Sequence, residues 1–188
     1  MRAPRALAAA LPALLLLLGG CVHTPAPTYA PGNDNLMALR AQPGAKLAVD
    51  AFQAAPKVAN TRLGLRGNSM SGGSDGTYTT YLQQALEAEL RNGGRFDAAS
   101  GTRISGVLLA NQLDASGART GKASIRARFV VTRDGAVAYD KPLQADHEWE
   151  SSFMGMVAVP AAMENYVATL QKLIGVLLVD PEFVEATR

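Results

Sequence analysis

Cysteine is almost missing from this chain. Cys21 is the only one in 188 residues, so no disulfide within the chain can brace the fold and core burial has to stabilise it. Histidine is nearly as scarce. His23 lies close to the N-terminus, so any Ser/His/Asp arrangement would have to be built around His147. No run of Lys or Arg occurs, which removes the electrostatic footprint of a nucleic-acid-binding protein. No apolar run reaches the roughly 18 residues of a transmembrane helix. Internal repeats are absent too.

What the chain does have begins at its N-terminus. Arg2 and Arg5 precede an apolar stretch over 6–18, and this ends in Leu18-Gly19-Gly20-Cys21. The pattern is that of a cleaved export signal. Its last four residues resemble the lipobox of bacterial lipoproteins, in which a small residue precedes a thiol that becomes lipidated. The resemblance implies that Cys21 is the mature N-terminus, carrying a diacylglyceryl group and an N-acyl chain such as palmitate. Val22 stands where an aspartate would favour retention in the inner membrane, which implies delivery to the outer membrane. Cleavage removes two arginines and leaves 16 Lys plus Arg against 16 Asp plus Glu, so the mature chain is formally neutral.

Residues 22–35 hold Pro25, Pro27, Pro31 and Gly32 with almost no large apolar side chain, a composition expected of a flexible tether. Extended at roughly 3 Å per residue, it would lift a domain on the order of 40 Å from the membrane. The expected organisation is a signal peptide over 1–20, the lipidated cysteine and tether over 21–43, and a single periplasmic domain over 44–188.

Within that domain, 46–52 alternates as a strand, 61–66 is compatible with a second, and the glycine-rich stretch 67–76 reads as a mobile loop. That loop lacks the Gly-Lys-Ser/Thr ending of a phosphate-binding loop. Tyr78, Tyr81, Leu82, Ala85, Leu86 and Leu90 share one helical face, with Asp75 or Thr77 as cap and Gly93-Gly94 as stop. Strands follow over 102–113, 122–132 and 136–153. A three-residue loop at Arg133-Asp134-Gly135 would set Phe129 opposite Tyr139 and Ile125 opposite Leu143. The same register places Arg128 opposite Asp140 and Lys122 opposite Asp146 on the outer face, and puts Lys141 inward at an edge or bulge. A final helix is expected to start at Pro160 and present Met163, Tyr166, Val167, Leu170, Leu173, Ile174 and Leu177 on one stripe until Asp180-Pro181 interrupts it. This order predicts an α+β fold, a mainly antiparallel sheet with two amphipathic helices packed on one face.

Two groups of residues carry the candidate chemistry. In Asp146-His147-Glu148-Trp149-Glu150, strand alternation sends the three acids to one face and His147 with Trp149 to the other. Alternate positions lie about 7 Å apart, too sparse for a cation site without ligands from elsewhere. A solvated face is expected, with no catalytic residue, no metal site and no cofactor. Phe153, Met154, Met156, Val157 and Val159 form the sharper candidate, a methionine-rich apolar segment able to meet a protein or lipid partner. Burial beneath the last helix is the ordinary expectation for such residues.

The helical segment 81–96, YLQQALEAELRNGGRF, the basic strand after it, and 147–183 together resemble the YajG family of outer-membrane lipoproteins. Auxiliary lipoproteins of ABC-type lipid transporters and the small lipoprotein of lipopolysaccharide assembly show comparable patterns. The resemblance implies partner binding and no catalysis. The function expected from the sequence is therefore a non-enzymatic, lipid-anchored outer-membrane lipoprotein whose periplasmic domain binds an envelope protein or lipid, through 153–159 or an open sheet face. The alternative is an accessory lipoprotein of a lipid or lipopolysaccharide transport system. A membrane partner is implied through Cys21, and nucleic acid is not.

Overall fold

A computed structural model of the chain describes residues 23–188. Its larger sheet is made of β2 (Ala48–Ala54), β5 (Thr102–Asp114), β6 (Thr120–Arg133) and β7 (Ala136–Glu150), in that spatial order. β2 runs parallel to β5, and the β5–β6 and β6–β7 pairs are antiparallel. Odd-numbered positions of β6 from Ala123 to Val131 are buried. The even-numbered ones lie on the opposite face. This alternation is what a sheet covered on one side requires.

The covering layer is two helices, α2 (Tyr78–Asn92) over β2 and α3 (Gly155–Val179) over β6 and β7. The fold is α+β with both helices on one face, as the sequence predicts. Thr77 caps α2 by accepting a hydrogen bond from Thr80 N, and Gly94 at φ 72° takes the left-handed position after the helix. Asp180 accepts from Glu182 N and opens the short α4 (Pro181–Ala186).

The β6–β7 register differs from the expected one by two residues. Phe129 faces Lys141 and Ile125 faces Ala145. The connection is a two-residue turn, Asp134 and Gly135 both at positive φ, and a bulge next to Val131 adds the further shift. An even shift keeps every side chain on its face. Lys122 consequently pairs with Glu148 (2.6 Å) in place of Asp146, while Arg128 reaches Asp140 diagonally. Lys141 faces inward on the edge strand and binds Asp180 (2.9 Å) and Glu182 (3.0 Å).

Several further expectations are corrected. Residues 67–76 are a loop only in part: β3 (Leu63–Leu65) turns through Arg66-Gly67 into β4 (Asn68–Ser71), and only the turn over 72–76, where Gly72 N donates to Gly76 O (3.2 Å), connects it to α2. The first strand starts and ends two residues later than expected, and the last sheet strand stops at Glu150. α3 starts at Gly155, so Pro160 lies inside it and the bond its N–H would give to the Met156 carbonyl is missing.

Another correction concerns the expected tether. Residues 23–43 are structured. His23–Pro25 forms β1, parallel to β4, and Asn33–Ala41 forms α1, which buries Asn35 and Leu39. The order β1-β4-β3 makes a second, small sheet. What fixes this segment is Glu89, fully buried on α2. Its Oε1 accepts from Tyr29 OH (2.7 Å), Gly32 N (2.9 Å) and Asn35 Nδ2 (2.8 Å). Tyr81 OH adds a bond to the Pro27 carbonyl (2.6 Å). Polar anchors of this kind hold a segment that has little apolar surface of its own.

Candidate functional site

α3 begins in solvent. Phe153 is 82% exposed, Met154 51%, Met156 81% and Val157 48%, while Ala158 turns inward at 1%. The expectation of burial thus fails for four of the five apolar candidates, and Val159 alone is half-buried. The reason is geometric. The helix starts five residues before Pro160, and its covered stripe begins only at Ala158 and Ala162.

This end is held in place. Arg66, at φ 45° in the β3–β4 turn, donates from Nη1 to the Phe153 carbonyl (2.9 Å), from Nη2 to Gly117 O (2.6 Å) and from Nε to Ala115 O. Ser151 N donates to Arg119 O (2.8 Å), and Ser152 Oγ accepts from Met154 N (3.1 Å). One guanidinium thus joins three segments that are far apart in sequence. The apolar cluster stands on a fixed platform.

His147 and Trp149 share the inner face, as expected, with ring centroids 6.0 Å apart. Both nitrogens of His147 are engaged, Nε2 with Asn165 Oδ1 (2.8 Å) and Nδ1 with Lys172 Nζ (2.7 Å). An ammonium can only donate, so Nδ1 accepts and Nε2–H donates to Asn165. On the outer face Glu148 is paired with Lys122 and Asp146 accepts from Gln144 Nε2 (3.0 Å). Among the described residues no three His, Cys, Asp or Glu side chains gather closely enough to hold a metal ion.

The outer face of the large sheet is covered by no helix among the described residues. Gln112, Asp114, Lys122, Ser124, Asp146 and Glu148 line a shallow cleft of about 420 Å³ on it. Arg126 is exposed nearby.

Tyrosines gather between the N-terminal segment, α2 and α3. Tyr166 packs edge-on to Tyr78 and stacks with Tyr81, which meets Tyr29 edge-on. Burial pushes the Tyr81 phenol up to about 12. Burial first, then the hydrogen bond to Glu89, raises Tyr29 further. Each hydroxyl stays protonated and donates, Tyr166 to Asn111 (2.8 Å) and Tyr78 to the Met70 carbonyl (2.7 Å). This cluster is structural.

Cys21 lies outside the described residues. Arg66 and Glu89 are the positions that sequence reasoning missed. Glu89 left a signal, since an acid three residues after Leu86 falls on the apolar stripe of α2. Arg66 left none, because its three acceptors are backbone carbonyls.

No family model and no curated protein matches the sequence. Solved structures do. A Xanthomonas campestris protein of family DUF330 superposes with a TM-score of 0.57 at 19% identity, covering 84% of this chain and 95% of that one. The two proteins share one fold. Looser likenesses are to a lipoprotein candidate from Caulobacter crescentus (TM-score 0.43, 10% identity, 77% of this chain and 91% of that one) and to a hypothetical protein of Chlamydia trachomatis (TM-score 0.41, 9% identity, 73% and 99%). None of these likenesses singles out the YajG family.

Proposed function

We propose that the chain is a lipid-anchored lipoprotein of the bacterial outer membrane whose periplasmic domain works by binding an envelope component, without catalysis. The observation that carries this reading is the cluster Phe153, Met154, Met156 and Val157, exposed on an ordered helix start. Contiguous apolar side chains held in water by a hydrogen-bonded platform favour contact with something else. Met and Phe adapt to varied apolar surfaces. The anchor is supported by the Leu18-Gly19-Gly20-Cys21 sequence. No helix among the described residues is long and apolar enough to cross a membrane, in keeping with attachment through acyl chains. His147 supports the non-catalytic reading, because both its nitrogens are occupied by structural partners.

The test is site-specific photocrosslinking in growing cells. A crosslinker at position 156 gives a discrete adduct that disappears when Phe153 and Val157 are changed to Ser, and a crosslinker at Val137 gives none. The quadruple change H147A, D146N, E148Q, E150Q leaves the adduct intact. Loss of the adduct in that variant would move the function to the sheet. Acyl chains recovered with the protein after native extraction would favour the accessory role in lipid transport.

A further inference from the structure

The position of β1 fixes where the lipid anchor leaves the domain. β1 runs parallel to β4 with His23 beside Ser69 and Pro25 beside Ser71. The chain therefore enters β1 from the end at which β4 starts, next to the Arg66-Gly67 turn. Cys21 is two residues earlier, and two residues span at most about 7 Å. Arg66 in that same turn is bonded to the Phe153 carbonyl and to the 115–117 loop. The acylation site and the exposed apolar cluster consequently belong to one end of the molecule. The Asp134-Gly135 turn marks the other end, the length of β6 away, on the order of 45 Å.

A free tether would erase this relation. Among the described residues there is none, since β1 is paired and 29–35 is bound to Glu89. Acyl chains on Cys21 would bring this end against the bilayer before any other part of the domain. The chemistry there suits that contact. No charged residue occurs from 151 to 163, and the exposed Arg119 beside Ser151 offers a cation to lipid phosphates.

We infer that Phe153, Met154, Met156 and Val157 enter the interfacial layer of the membrane that holds the acylated Cys21. The domain is then attached at two points, acyl chains and side chains, and stands with the Asp134-Gly135 turn directed away from the lipid. Interfacial apolar faces sink about 5–10 Å into the headgroup and acyl boundary, a depth that side chains at the first turn of α3 can reach. This inference rests on the lipoprotein reading above and names lipid as the component that the cluster binds.

The experiment uses the full chain, matured in cells and acylated at Cys21, so that an introduced thiol is the only one free. Met156→Cys, Phe153→Cys and Val137→Cys are each labelled with a polarity-sensitive fluorophore and reconstituted on phosphatidylethanolamine and phosphatidylglycerol vesicles. Labels at 156 and 153 shift to the blue and are quenched by nitroxide-bearing lipid. The label at 137, a site 63% exposed at the far end, keeps its aqueous emission. Aqueous emission at 156 and 153 on the vesicles, with an acylated N-terminus by mass, overturns the inference and leaves the lipoprotein reading intact. Shielding of 156 in cells but not on protein-free vesicles also overturns it and assigns the cluster to a protein. A mass showing Cys21 without acyl chains removes the lipoprotein reading and the inference together.

Discussion

Glu89 shows how much one side chain can decide. It is fully buried, and one of its oxygens gathers three donors from 29–35 while the other has no hydrogen-bond partner. Changing Glu89 to Ala takes the acceptor from the Tyr29 hydroxyl and the Gly32 N–H and leaves Asn35 Nδ2 with only the Gln171 carbonyl (3.0 Å), and a buried donor left without its acceptor costs about 1–3 kcal/mol. A loss of about 1–3 kcal/mol is expected, read as a lower denaturant midpoint. Gly121 is constrained in the opposite way. A Cβ there would drive into the Trp149 indole, so Gly121→Ala is expected to cost about 1–3 kcal/mol by overpacking, measured in the same unfolding assay.

At the scale of elements, β7 and α4 are linked by charge. Burial alone would raise the Asp180 carboxyl, but the Lys141 ammonium and the Glu182 and Phe183 N–H groups outweigh it and hold it below the usual carboxylate range. A carboxyl lowered by folding adds stability above its unfolded value of about 3.9, and that stability is lost as pH falls through the lower folded value. Lys141→Met takes away the ammonium, raises the folded value and moves the acid-unfolding midpoint to higher pH, observable by circular dichroism. The β6–β7 hairpin shows which part of an element is local. Alternation told correctly which residues of β6 point inward. The register did not follow, because Asp134-Gly135 closes a two-residue turn and a bulge adds one residue, and period-two patterning cannot distinguish an even shift. The start of α3 is hidden from local pattern for a similar reason. Proline at a first helical turn is the commoner arrangement, and nothing local to 153–159 shows that Pro160 sits inside the helix instead.

On the scale of the whole molecule, the N-terminal segment is part of the folded body. Nonspecific proteolysis of the protein is expected to spare 26–41 in the wild type and to cut there in the Glu89→Ala variant. A free tether would be cut in both. The sequence by itself determined the α+β class, the two helix stripes and the inward and outward faces of the strands, because each is written in neighbouring residues or in a short period. Only the tertiary structure decided that 23–41 folds, that the apolar start of α3 stays in water, and that this start lies at the same end as the start of β1. Those outcomes depend on partners distant in the chain: Tyr29 finds Glu89 across 60 residues, and Arg66 finds Phe153 across 87. No periodicity encodes such pairs, since the fold itself brings donor and acceptor together.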